Sequence, residues 1–159
     1  MSKKVKKVRS AVENRKARYD YNIEEIIEAG IVLNGEEIKS IRKGKVSIDN
    51  SYASEKNNDI WVNNVHIQVN KNKKSTEDIL SPTRPRKLLL KRKEINKLKL
   101  KLINSGFTLI PLNIHYNKKG FAKVDLGLSK GRKKEDKREY KKEQDWKREK
   151  DRLISKNLK

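Results

Sequence analysis

The first extended pattern along the chain has a period of two. In DYNIEEIIEAGIVL, residues 20–33, Tyr21, Ile23, Ile27, Ala29, Ile31 and Leu33 fall on one face, and Asn22, Glu24 and Glu28 on the other. Glu25 is the exception, a carboxylate on the apolar side. Because successive side chains leave a strand on opposite faces, this alternation predicts a half-buried β-strand. Asn34-Gly35 breaks it, and EEIKSIRKG predicts a short helix closed by Gly44. Residues 46–53 and 59–69 predict a hairpin around Asn57-Asn58-Asp59, with Trp61, Val65, Ile67 and Val69 sharing a face.

Residues 70–86 are polar and proline-bearing and predict a loop. In RKLLLKRKEINKLKLKLINSG, Leu88, Ile95, Leu98, Leu102 and Ile103 follow helical spacing, and Gly106 stands where a C-terminal cap belongs. FTLIPLNIHY and GFAKVDLGLS predict two closing strands around a turn at 117–120. Pro111 cannot donate to a ladder, so its strand is an edge or is bulged there. Antiparallel strands with helices between them, and no βαβ alternation, predict a mainly β fold, a small barrel.

The last thirty residues break the pattern. Lys130–Lys159 holds fourteen Lys or Arg, seven Asp or Glu, and five large apolar side chains, Tyr140, Trp146, Leu153, Ile154 and Leu158. So little apolar surface cannot offset an ordering cost of roughly 1–2 kcal/mol per residue, so the segment is expected to be disordered alone. On a helical wheel the five apolar residues fall within an arc of about 140°, a loose stripe. Glu143 with Lys147 and Glu149 with Arg152 add helical charge pairs. The expectation is therefore disorder in the free chain and a helix on a partner. Division follows composition: a basic arm over 1–13, a barrel over 14–129 and a charged tail over 130–159.

The net charge of +21 points to a polyanion. A membrane surface fits poorly, since no apolar run approaches the roughly 20 residues of a span, and no apolar segment follows the first lysines. With no cysteine there is no disulfide, consistent with a cytoplasmic address. Catalytic chemistry finds no support. His66 and His115 lie in strand patterns without a partnering HxH or HxxxH, and Glu24, Glu25, Glu28, Glu36 and Glu37 are neighbours along one strand and one turn, expected as solvated charges. Neither a cofactor nor a metal site is expected.

Three basic constellations remain. NRKARYDY (14–21) sets arginines beside tyrosines, the chemistry that phosphates and unstacked bases need. GEEIKSIRKGK (35–45) places Lys39, Arg42 and Lys43 at helical spacing, and PTRPRKLLLKRK (82–93) brings Arg84 and Arg86 beside a triple leucine. RNA is the partner these favour, and a general structured-RNA binder or RNA chaperone is one reading of them.

The ordered set NRKARYDY, EAGIVLNGEEIKSIRKGK, SYA, TRPRKLLL, LIPL and KGRKKEDKRE resembles the small protein B family, the bacterial partner of transfer-messenger RNA. The resemblance implies a six-stranded, OB-like barrel with two to three flanking helices. It further implies binding to the tRNA-like domain of transfer-messenger RNA, mainly at its D-loop, and delivery of that RNA, with the elongation factor that carries aminoacyl-tRNA, to stalled ribosomes. By motif, the RNA face takes Asn14, Lys16, Arg18, Tyr19, Glu28, Lys39, Arg42, Lys45, Arg84, Arg86, Lys87 and Leu89. The ribosome-contacting tail takes Lys130, Arg132, Lys133, Asp136, Lys137, Arg138, Trp146, Lys147, Leu153 and Ile154, set in the decoding centre and the empty mRNA path. Three positions depart from the family pattern: Tyr19 where His is usual, Ser81 where Asp is usual, and Glu135 where His is often found.

Overall fold

A computed structural model describes residues 10–69 and 81–158. Most of the predicted 70–86 loop, and the arm up to residue 9, lie outside these residues. Among the described residues, nine strands and four helices follow in the order β1 (Ser10–Glu13), α1 (Ala17–Asp20), β2 (Tyr21–Ile31), α2 (Gly35–Arg42), β3 (Val46–Ser47), β4 (Tyr52–Lys56), β5 (Asp59–Asn63), β6 (His66–Ile67), β7 (Arg86–Leu89), α3 (Arg92–Asn104), β8 (Thr108–Tyr116), β9 (Ala122–Gly131) and α4 (Lys134–Asn157).

Six strands close on themselves in the order β8, β4, β5, β7, β2, β9 and back to β8, every pairing antiparallel. The strand β1 adds to the free upper edge of β8, so the sheet begins at Ser10 rather than at the expected barrel boundary of residue 14. A bulge between Pro111 and Asn113 divides β8 where proline breaks the ladder, as the sequence predicts. Inside lie Ala29, Ile60, Val62, Leu88, Leu109, Ile114, Val124, Leu126 and Leu128, joined by Ile41 of α2 and by Ile95 and Leu98 of α3. A smaller apolar cluster, Ala17 with Ile110 and Leu112, seats α1 on the outside of β8.

Three expectations are corrected. RKLL is a strand and not the start of the helix: Arg86 and Leu88 point inward, Leu89 points out, and α3 begins at Arg92. Gly106, at φ +65°, lies just beyond that helix, where only a residue tolerant of the left-handed region fits cheaply. The hairpin predicted over 46–69 is β4–β5 alone, turning on Asn57 and Asn58, both at positive φ; β3 and β6 pair in a separate two-stranded sheet. Ile60 and Val62 face the core instead of Trp61, because Asn64, at φ +59°, flips the chain before Val65 and Ile67 turn inward. The tail is one continuous helix, Lys134–Asn157, with no buried side chain.

Candidate nucleic-acid interface

The helix α2 is set by its N-terminus. Asn34 Oδ1 accepts from Glu37 N at 2.9 Å, and Glu37 Oε1 accepts from Asn34 N at 3.1 Å, a reciprocal capping box. The same carboxylate was expected to be a solvated charge. It is instead fully buried and bonded to two arginines, Arg84 through Nη2 and Arg86 through Nε. The Arg86 guanidinium also donates to Val65 O at 2.7 Å, Arg84 O at 3.2 Å and Pro82 O at 3.1 Å. Burial pulls its pKa below the ordinary arginine value, and Glu37 beside it opposes that shift. Arg86 is 0% exposed and is therefore no surface contact. Its place on the expected RNA face is corrected: it ties the turn at 82–84 to α2.

Asn14 is corrected in the same way. Buried, it donates through Nδ2 to Ile48 O and Pro111 O, both at 3.3 Å, and accepts from Ala17 N at 3.1 Å. These bonds start α1 and present Lys16, Arg18 and Tyr19 at the surface.

The other block residues are at the surface or partly so. Lys39, Arg42 and Lys45 are exposed on and after α2, Lys39 lying 3.7 Å from Glu36. Lys87 is 3.2 Å from Asp59. Arg42 and Leu89 share one groove of ≈ 500 Å³ with Val32, Tyr116, Phe121 and Lys123. The Arg42 guanidinium lies over the Tyr116 ring at 5.8 Å, and burial raises the Tyr116 hydroxyl's pKa. Leu89 is 57% exposed and Phe121 64%, large apolar side chains left in water beside cations. Gly30 makes room for this: a Cβ there would stand 3.2 Å from Leu89 Cβ. Sequence reasoning missed Phe121 and Lys123. Lys123 alternates outward in β9 and Phe121 stands one residue before that strand, but their nearness to Leu89 depends on the register Gly30↔Lys123 and Gly30↔Leu89.

The exceptional Glu25 is held by α3, with Lys97 Nζ at 2.8 Å and Lys101 Nζ at 3.4 Å, and the Lys97 bond leads in holding its carboxyl below the ordinary value. Glu28 is exposed on the outer face of β2, with His115 Nε2 3.4 Å from its Oε2.

Tail and barrel meet at the root of α4. Arg132 donates from N to Asp20 O at 2.9 Å and from Nε to Tyr21 O at 3.3 Å, and its guanidinium lies 4.3 Å from the Tyr140 ring. Tyr140 meets Tyr19 at 6.5 Å, and Lys137 bonds Asp20 at 3.2 Å. Lys130 belongs to β9, over the Phe107 ring at 4.6 Å, so the helical tail begins later than residue 130. Lys133 and Asp136 stand at the start of α4, where the acid complements the helix dipole. Arg138, Trp146, Lys147, Leu153 and Ile154 are exposed along it. Among the described residues no helix is long and apolar enough to cross a membrane.

Comparison with known proteins gives a consistent picture. The SmpB protein family profile matches residues 11–156. An SsrA-binding protein of Bradyrhizobium sp. BTAi1 is 50% identical over 154 residues, 96% of each chain. One of Ehrlichia canis is 48% identical over 146 residues, 92% of this chain and 97% of the relative. A solved chain described as "tmRNA-SmpB: a journey to the center of the bacterial ribosome" superposes with a TM-score of 0.62 at 41% identity, covering 80% of this chain and 92% of that one. A profile spanning nearly the whole chain, relatives at half identity, and a shared fold agree: the chain belongs to the SmpB family.

Proposed function

We propose that this chain binds the tRNA-like domain of transfer-messenger RNA and carries that RNA to stalled ribosomes, where α4 occupies the vacant mRNA path. The single observation that carries the RNA face is the groove in which Arg42 and Lys123 flank exposed Leu89 and Phe121. Cations draw in the backbone, while water-exposed apolar and aromatic surface takes unstacked bases of a loop. Glu28, exposed nearby on β2, supplies an acceptor for base amino groups, which phosphate affinity alone has no use for. Lys16 and Arg18 extend the basic surface from α1.

The tail's role follows from its form. A helix of 24 residues with no buried side chain and an apolar stripe at Trp146, Leu153 and Ile154 is built to pack against something else. Ribosomal RNA lining an empty channel offers both phosphates for its lysines and bases for its stripe. In this reading the chain acts by binding and not by catalysis, and a ribosomal partner supports a cytoplasmic address.

The test is affinity for the tRNA-like domain against an elongator tRNA across a salt series. A dedicated binder keeps its preference as salt rises. A general polyanion binder loses it, with log K falling by about 0.7–0.9 per neutralised phosphate for both RNAs, and that outcome would sink the proposal.

A further inference from the structure

The outer face of β4 and β5, with the turn that enters β7, forms a second groove of ≈ 360 Å³, lined by Ser54, Lys56, Trp61, Asn63, Arg84 and Pro85. The alternation read from the sequence puts Trp61 on the same face as Val65 and Ile67. In the fold Ile60 and Val62 take the core, and the indole stands outside, partly exposed.

The indole is held by its edge, with Nε1 donating to Lys56 O at 3.3 Å across the β4–β5 turn. That bond satisfies the ring's one polar group, so what Trp61 offers the groove is ring surface. Beside it Asn63 Nδ2 donates to Ser54 Oγ at 2.9 Å. The amide oxygen and the serine hydrogen have no partner among the described residues, which leaves one acceptor and one donor for a ligand. Arg84 is anchored to buried Glu37, and Lys56 is exposed. Two cations thus line the groove and no carboxylate does; Asp59, two residues before Trp61 on β5, is paired with Lys87 at 3.2 Å. Ring surface, hydrogen-bonding groups of both kinds and cations together fit one unstacked nucleotide, its base on the indole and its phosphate among the cations.

Register ties this groove to the first. Trp61 lies opposite Lys87 of β7, and Leu89, outward and two residues further along, lies opposite Gly30 of β2, which on its other side faces Lys123 of β9. With a rise of about 3.4 Å per residue and about 4.8 Å between strands, Trp61 and Leu89 stand roughly 8 Å apart on one face. Neighbouring unstacked nucleotides bridge such a distance. We infer that Trp61 is the base-stacking residue of a second subsite, which takes a nucleotide of the tRNA-like domain adjoining the one held between Arg42 and Leu89. This rests on the reading of the first groove as the RNA face.

The test uses the full chain carrying Trp146→Phe, in which Trp61 is the remaining tryptophan, and follows its emission as the tRNA-like domain is added. Affinity is measured across a salt series for that chain and for Trp61→Ala, Trp61→Phe and Leu89→Ala made in it, and thermal melts confirm that each is folded. Saturating RNA is expected to quench Trp61 emission beyond an inner-filter control with free tryptophan. Trp61→Ala is expected to weaken binding about 5- to 100-fold with the salt slope unchanged, and Trp61→Phe, which keeps a ring, to weaken it less. Trp61 emission that RNA leaves unchanged would overturn the subsite, however the variants behave. A folded Trp61→Ala that binds like its parent would overturn it too, and if Leu89→Ala is weakened in the same series the first groove stands. A weakened Trp61→Ala beside an unaffected Leu89→Ala would overturn the reading of the first groove and leave Trp61 as the base contact.

Discussion

Glu37 and Arg86, forty-nine residues apart, are both fully buried and bonded to each other, with Glu37 at the same time closing the cap of α2 and binding Arg84. One carboxylate thus fixes the helix that displays Lys39 and Arg42 and the strand that displays Lys87 and Leu89.

Removing one partner of such a pair strands the other charge in the core. Arg86→Ala is expected to cost about 3–5 kcal/mol of stability, measured by urea unfolding. Arg84→Ala, whose side chain is partly exposed, is expected to cost much less. A surface contact would behave in the reverse way, losing RNA affinity with stability intact. If Arg86→Ala melts like the native chain, the assignment of Arg86 to the fold is wrong.

Asn14 belongs to the same class. Asn14→Ala removes the bond that starts α1 and leaves two buried carbonyls, those of Ile48 and Pro111, each without this partner. A loss of about 1–3 kcal/mol is expected, again in unfolding. Any fall in RNA affinity should track the unfolded fraction.

The groove divides into a charged and an apolar part that salt separates. Arg42→Ala should weaken RNA binding and make the salt slope shallower by about 0.7–0.9, the signature of one lost phosphate contact. Leu89→Ala should weaken binding by up to about 2 kcal/mol through lost apolar contact with a base, with the slope unchanged. Because Leu89 is exposed, its removal should barely move the melting temperature. Equal slopes for both variants would argue against the division.

Much of the fold is legible in residue order. The alternation in β2 survives in its burial, and Gly44 and Gly106 stand at positive φ beyond their helices. The failures have physical causes. Leu88-Leu89-Leu90 satisfies a strand and a helix period alike, so RKLL merged with α3. One left-handed residue, Asn64, shifts the alternation between β5 and β6, so the face read from Val65 and Ile67 does not carry back to Trp61. At the site, matching a motif says that a residue type recurs but not what it serves. Arg84, Arg86 and Leu89 sit in one motif, and the structure sends Arg86 inward and Leu89 outward. The nearness of Lys123 to Leu89 is a matter of register across three strands, which no local pattern encodes.

Glu25 gives a pH dependence whose sign can be worked out. Lys97 and Lys101 depress its carboxyl in the folded state, so the unfolded chain binds its proton more readily. The pair's contribution is present above the unfolded glutamate value, about 4.3, and is lost as pH falls through the folded value. At an exposed site the contribution is about 0–1 kcal/mol. Glu25→Gln should lower stability slightly at pH 6, and the difference from the native chain should vanish in acid.

The tail separates two kinds of binding. Its root is held by Tyr140 against Tyr19 and by Lys137 on Asp20, whereas Leu153 and Ile154 lie exposed more than a dozen residues further on. Helices without tertiary packing are marginal in water even at this length. Tyr140→Ala should therefore lower helical ellipticity at 222 nm while the barrel's melting is unchanged. Leu153→Ser with Ile154→Ser should leave both melting and affinity for the tRNA-like domain untouched, since neither residue packs on the barrel. The same double variant should lose tagging of chains on ribosomes stalled at the end of a message, because the stripe has nothing else to bind. Full tagging by that variant would mean that charge alone carries the tail, and weaker affinity for the tRNA-like domain would mean that the tail and not the groove reads the RNA.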